Sequence, residues 1–149
     1  ANAVRKMLAD AEKEGLHVEI CSAFRSVERQ EQVFGDSMKE RVKSGMSYWE
    51  AYEETALNVA LPGTSEHELG LAIDINADKT RSTNEQVYDW LAKNSYRYGF
   101  VLRYPKDKQH ITGISYEPWH YRYVGVEAAT KMYELNLTLE EYLNNKNLH

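Results

Sequence analysis

A chain of 149 residues, 42% hydrophobic and 28% charged, has the size and composition of one ordinary globular domain and can bury a core without staples. Its net charge of -5 is the wrong sign for a nucleic-acid partner, and no apolar run reaches the roughly 18 residues of a membrane span. The single cysteine, Cys21, excludes an intrachain disulfide.

The first 15 residues place Val4, Met7, Leu8 and Ala11 at helical spacing, and Gly15 is set to end the helix. Residues 17–23 alternate, with Val18 and Ile20 on one side and Glu19 and Cys21 on the other, which predicts a strand with a buried structural thiol. Ser26 is placed to cap a helix over Val27–Lys43, with Val33, Phe34, Met38 and Val42 on one face. Gly35 weakens that helix by about 1 kcal/mol relative to Ala. Ser47 and Glu50 form a capping box for a short helix over residues 48–57.

Residues 58–67 have no period and contain the turn signal Pro62-Gly63. From Gly70 the pattern is a strand: Leu71, Ile73 and Ile75 point one way, and Ala72, Asp74 and Asn76 the other. A polar loop (77–83) precedes a helix over 84–98 with a stripe of Val87, Trp90, Leu91, Asn94 and Tyr98, which Gly99 ends. Residues 100–104 return as a strand, 105–112 form a charged loop, and 113–123 read as strand interrupted at Pro118. Two short helices follow over 126–147, the second capped by Thr138 with Glu141 three residues on. Several of the 11 tyrosines fall between Tyr96 and Tyr123, a density suited to lining a groove or to packing. Strands gathered in mid-chain predict the α+β class: one small domain over 1–149, with a central antiparallel sheet flanked by helices.

Two stretches carry chemistry. Ser65-Glu66-His67-Glu68-Leu69-Gly70-Leu71-Ala72-Ile73-Asp74 places an imidazole and a carboxylate seven positions apart, with small residues between them. Tyr116-Glu117-Pro118-Trp119-His120 adds a second imidazole and a free carboxylate. Two histidines and one aspartate are a usual ligand set for a catalytic zinc, which keeps one position open for water. An ionised Asp74 on an otherwise apolar strand is costly unless paired or metal-bound. Glu117 is the candidate general base. In an ideal strand it would oppose His120, and the irregular step at Pro118 can bring both to one cavity. Glu66 and Glu68 could simply be solvated carboxylates, and His17, His110 and His149 carry no catalytic role, although His110 could flank the cleft.

These stretches resemble the signature of the zinc D-Ala-D-Ala carboxypeptidases of the VanY type, bacterial peptidoglycan peptidases related to the vancomycin-resistance enzymes. The likeness continues through Ser22-Ala23-Phe24-Arg25-Ser26 and Gln32, Gly99-Phe100, Arg103-Tyr104-Pro105, Thr112-Gly113 and Tyr121-Arg122-Tyr123-Val124-Gly125. It covers about residues 18–125. It implies the small fold shared by Hedgehog-type domains and D,D-peptidases, with Zn2+ held by His67, Asp74 and His120 and with Glu117 as base. It implies further that Arg25 stabilises the oxyanion, and that Ser65 and Gln32 help hold the substrate while Trp119 walls the site. The family often has Gly-Tyr before the motif arginine where this chain has Ala23-Phe24, a change that keeps the ring and loses a hydroxyl.

The function so implied is removal of the terminal D-Ala from peptidoglycan stem peptides ending in D-Ala-D-Ala, by a zinc-bound water that Glu117 activates. The alternatives within this chemistry are an L,D-carboxypeptidase acting on tetrapeptide stems, a dipeptidase on free D-Ala-D-Ala and a cell-wall endopeptidase. Outside it stand a wall-binding module that retains the metal and a domain whose histidines merely pack. Residues 45–62 are expected to help choose the substrate. The expected partner is a stem peptide or its precursor, with no nucleic acid, and the chain is expected to act as a monomer. The expected location is extracytoplasmic, at the cell surface or in a periplasm-like space rather than the cytoplasm, and release from an N-terminal anchor that this sequence lacks is one expectation.

Overall fold

The structure, a computed structural model, describes residues 2–145. The start of the first helix at Ala1, the end of the last expected helix at 146–147, and His149 lie outside the described residues. α1 (Asn2–Lys13) buries Met7 and Ala11 and ends at Gly15, whose φ of 82° suits the turn that leads into the sheet. β1 (Val18–Ser22) follows, then α2 (Val27–Lys43), where Ser26 accepts a hydrogen bond from the Arg29 amide. α3 (Tyr48–Ala56) begins with the expected capping box of Ser47 and Glu50. β2 (Ala72–Ala77), α4 (Asn84–Asn94), β3 (Phe100–Leu102), α5 (Gln109–Thr112) and β4 (His120–Tyr123) complete the middle of the chain. α6 (Val126–Glu134) and α7 (Leu139–Asn144) close it, the latter capped by Thr138 and Glu141.

The four strands form one antiparallel sheet in the order β1-β2-β4-β3. One face carries the core. Ile75 and Tyr121 are almost completely buried there against Met7 and Ala11 of α1 and Val87, Trp90 and Leu91 of α4. Burying those side chains supplies about 1.5–3 kcal/mol for each large aliphatic or aromatic residue. The opposite face carries Asp74 and His120, and α2 and the segment 58–67 wall a cleft above it. Two smaller apolar clusters flank this unit. One joins α2 to α3 through Phe34, Met38 and Ala51, and the other joins β3 to α6 and α7 through Val101, Ala129, Met132 and Tyr142.

Several expectations need correction. Cys21 is exposed, not buried: β1 is an edge strand, and its register slips by one between Ile20 and Ser22, so Cys21 is the extra residue of a bulge. The α2 helix runs unbroken through Gly35. Its buried stripe is Gln30, Phe34 and Met38, spaced four apart, while Val42 is exposed. The last turn of the 84–98 helix tightens into a 3-10 turn, Ser95–Tyr98. The strand expected over 100–104 stops at Leu102, α5 lies within the charged loop, and only His120–Tyr123 of the 113–123 segment is strand. The tyrosines serve mostly for packing. Tyr96 stacks on Tyr133, Tyr98 lies over Trp90, and Tyr123 packs edge-on against Phe100. Of the tyrosines between Tyr96 and Tyr123, Tyr104 reaches the cleft.

Candidate metal centre

Three local devices bring the candidate ligand residues together. Asp74 and His120 are direct partners across the β2–β4 ladder, so their side chains leave the sheet on the same face. Ser22 pairs with Asp74 from the other side, because the bulge at Cys21 advances it by one position. His67 comes from a 3-10 turn, Glu66–Leu69, that Gly70 closes in the left-handed region at φ 65°. The turn is pinned to the end of β1: the Arg25 amide donates to the His67 carbonyl at 3.1 Å, and His67 Nδ1 lies 2.7 Å from the Ala23 carbonyl. That bond places the proton on Nδ1 and leaves Nε2 as the free donor atom.

His67 Nε2 lies 3.3 Å from Asp74 Oδ2, and His120 Nδ1 lies 3.1 Å from Asp74 Oδ1. Ligand atoms of the three residues all fall within 4.8 Å of one another. Both imidazoles are buried, and Asp74 Oδ1 has no hydrogen-bond partner despite its short distance to His120. Buried polar atoms in native proteins are almost always paired. An unpaired oxygen among donor atoms this close is suited to a cation at a shared point. Two imidazole nitrogens and a carboxylate around such a point fit zinc.

The electrostatics agree. Burial alone would raise the Asp74 carboxyl, but the adjacent imidazoles of His120 and His67 bring it down to about 2. Burial alone would lower His120, yet Asp74 and Glu66 hold it up at about 9. The pocket is built to stabilise positive charge at this place, and a metal ion would take over from the proton.

Glu117 lies within the same cavity. The chain makes a turn through Pro118 and Trp119, in which the His120 amide donates to the Glu117 carbonyl at 3.2 Å. The turn brings Glu117 Oε2 to 3.7 Å from His120 Nδ1. The Glu117 amide donates to the Tyr104 carbonyl at 3.1 Å, which fixes the approach. Burial pushes the Glu117 carboxyl up to about 7, with Asp74 adding to the effect and His120 and Arg25 opposing it.

Arg25 lines the cleft opposite. Its guanidinium donates to Gln30 Oε1 at 2.7 Å and to Ser22 Oγ at 2.8 Å, and it stands 3.8 Å from Asp74 Oδ2. Ser65 is buried in the cleft wall, and its hydroxyl makes no capping bond to the turn that it precedes. Trp119, 37% exposed, forms another wall.

Gln32 does not reach the cleft. It is exposed and accepts a hydrogen bond from Arg29, because positions 30 and 32 lie on different faces of α2. Gln30 is the glutamine in the cleft, buried at 1% exposure, and its amide donates to the Ala60 carbonyl at 2.7 Å. Its place four residues before Phe34 on the apolar stripe was the signal. Glu66 is also not a freely solvated carboxylate. Its side chain is 12% exposed and lies between Arg103 and Arg122, while Glu68 is half-buried and accepts from the Gly63 amide. His110 is exposed on α5 and does not line the cleft. Of the 45–62 segment, Asn58, Val59 and Ala60 line it.

The model of the VanY family, described as D-alanyl-D-alanine carboxypeptidase, matches residues 1–126. A D-alanyl-D-alanine carboxypeptidase of Enterococcus faecalis (strain ATCC 700802 / V583) is 52% identical over 134 residues, 90% of this chain and 50% of that protein. The structure of VanYB in complex with D-alanine-D-alanine superposes with a TM-score of 0.95 at 48% identity, covering 97% of this chain and 80% of that one. A single-residue variant of the vancomycin-resistance D,D-pentapeptidase VanY, from a VanB-type resistance cassette and in complex with Zn(II), gives a TM-score of 0.94 at 48% identity, covering 96% and 80%. The chain spans about half the length of the curated relatives it matches, between 42% and 65%. The chain therefore belongs to the VanY family of D-alanyl-D-alanine carboxypeptidases.

Proposed function

We propose that this chain is a zinc carboxypeptidase that removes the C-terminal D-Ala from peptidoglycan stem peptides ending in D-Ala-D-Ala. The observation that carries this reading is the placement of Glu117. A buried carboxyl, raised to about 7, stands 3.7 Å from the ring nitrogen of His120 that faces Asp74. Near neutral pH it can both accept a proton and return one, as peptide hydrolysis requires. When bound at His67, Asp74 and His120, zinc supplies Lewis acidity, which polarises a carbonyl and lowers the pKa of water.

The chain's own residues do the rest. Glu117 takes the proton of the attacking water and delivers it to the leaving amine of the terminal D-Ala. Arg25, pre-oriented by Gln30 and Ser22, faces the negative charge that develops on the scissile carbonyl oxygen. Ser65 and the backbone around Asn58–Ala60 border the cleft where the peptide would lie, and Trp119 shields it from water on one side. We place the whole catalytic unit within residues 1–149. The relatives named as D-alanyl-D-alanine carboxypeptidases, and the related structure holding D-alanine-D-alanine, support this substrate class. Mature stem peptides lie outside the membrane, so the site of action is extracytoplasmic. Among the described residues no helix is long and apolar enough to cross a membrane.

The test is mass spectrometry of products from a stem pentapeptide ending in D-Ala-D-Ala, a tetrapeptide ending in one D-Ala, and the free dipeptide. Each is incubated with zinc, with a chelator, and with the Glu117→Gln variant. The expected result is loss of one D-Ala from the pentapeptide, abolished by chelation. Glu117→Gln is expected to lower kcat by about 10²- to 10⁴-fold while zinc still binds. Shortening of the tetrapeptide instead would reassign the enzyme to L,D-cleavage. No cleavage of any peptide by the zinc-loaded protein would overturn the carboxypeptidase reading.

A further inference from the structure

The carboxylate of Glu66 takes no part in the chemistry above, yet its side chain is only 12% exposed and lies against a ligand residue. Its Oε1 accepts from Arg103 Nε at 2.7 Å and lies 3.0 Å from Arg122 Nη1. Its Oε2 is buried and has no hydrogen-bond partner. At 3.6 Å from that oxygen is His120 Nε2, which is also buried and unpartnered. Two orphaned buried atoms, one an acceptor and the other able to donate, face each other just beyond bonding distance. A shift of about 0.5 Å would make the hydrogen bond.

We propose that Glu66 is a positioning residue for the metal: Oε2 accepts the Nε2–H of His120 and fixes the tautomer that presents Nδ1 to the ion. The proposal rests on the reading of His67, Asp74 and His120 as the zinc ligands. Nδ1 is the ring nitrogen that faces Asp74 Oδ1 and Glu117 Oε2, so the proton belongs on Nε2 if the ring is to ligate. His67 is oriented the same way by a different acceptor, the Ala23 carbonyl. The two imidazoles thus present opposite ring nitrogens, one backed by a backbone carbonyl and the other by a carboxylate. A carboxylate behind a ligating imidazole makes it a stronger donor. The carboxylate is itself held by two guanidinium groups, and Arg103 is oriented in turn by a two-pronged contact with Glu140 of α7, at 3.0 and 2.6 Å. Glu140 lies beyond the part of the chain that the family model matches.

The test is zinc affinity, measured by competition with a chromophoric chelator on the unaltered chain, Glu66→Gln and Glu66→Ala, with circular dichroism to check the fold. Glu66→Ala is expected to weaken zinc binding by about 10- to 100-fold, and Glu66→Gln, which keeps an acceptor oxygen without the charge, by less. The absorption bands of the cobalt-loaded variants are expected to shift with the ligand field. Removing Glu66 leaves Arg103 and Arg122 without their shared counter-ion and can unfold the chain. A second measurement therefore uses the unaltered protein: nitrogen-15 NMR of the zinc-loaded chain, where the His120 N–H is expected on Nε2 and slow to exchange. A proton found on Nδ1, or a folded Glu66→Ala chain that binds zinc within about twofold of the unaltered one, overturns the assignment. Failure of the unaltered chain to bind zinc overturns the metal reading and this one with it. Zinc binding that is indifferent to Glu66 overturns this one alone.

Discussion

Arg25 is held from two sides by Gln30 and Ser22, and its guanidinium fork is therefore fixed at the wall of the cleft. Gln30 does this at the cost of burying a primary amide, which is tolerable because both ends are bonded, the oxygen to Arg25 and the nitrogen to the Ala60 carbonyl. Replacing it orphans an Arg25 N–H and the Ala60 carbonyl together. Gln30→Ala is therefore expected to cost about 1–3 kcal/mol of stability in urea unfolding. It is also expected to lower kcat with little change in zinc affinity, since no ligand residue touches Gln30. A variant of unchanged stability would show that water satisfies both groups. Sequence reasoning placed Arg25 in the site and set the glutamine two positions too far along, at Gln32. The error is physical in origin: spacing along a helix decides which face a residue occupies, and two positions turn it by more than half a circle.

At the scale of the element, the capping boxes at Ser47 and Thr138 were legible because each is a local pattern whose partners are three residues apart. The bulge in β1 was not, because alternation alone cannot show where a register slips. Yet the bulge is what turns Ser22 toward Asp74 and Arg25, and turns Cys21 out. A second element-scale constraint sits at Gly99, which ends the turn leading from α4 to β3. Its φ is 83°, and a Cβ there would meet Tyr123 Cε2 at 2.8 Å and the Gly125 carbonyl carbon at 3.0 Å. The Tyr123 ring can rotate away, but the Gly125 backbone, bonded to this region through Val124 N and the Gly99 carbonyl, cannot do so freely. Gly99→Ala is expected to cost about 1–3 kcal/mol. Gly63→Ala, also at positive φ but with open space around it, is the control that isolates the contact from the backbone strain. Equal losses in chemical denaturation would mean that the close approach contributes nothing.

At the scale of the whole molecule, the proposed ligands come from a 3-10 turn, a strand at the middle of the sheet and a strand 46 residues further on, at positions 67, 74 and 120. That they form a candidate zinc set was legible from residue types and from Gly70 and Ala72 between them. That Asp74 and His120 are ladder partners was not, since pairing between distant strands is set by the sheet and leaves no mark at either position. Glu66 shows the same limit: its ion partners Arg103 and Arg122 lie 37 and 56 positions away, and nothing local distinguishes it from its neighbour Glu68, which has no such partners among the described residues. A metal held by these three residues would cross-link segments that have no fixed separation in the unfolded chain and would stabilise the fold by mass action. At a free zinc concentration of about 100 times the dissociation constant, the gain is expected to be roughly 2.7 kcal/mol. Calorimetry with zinc and with excess chelator would show it as a higher unfolding temperature in zinc. Glu117→Ala is expected to keep that upward shift, because Glu117 is not among the proposed ligands, whereas His67→Ala is expected to lose most of it. A shift that survives His67→Ala would place the stabilising ion somewhere other than this centre.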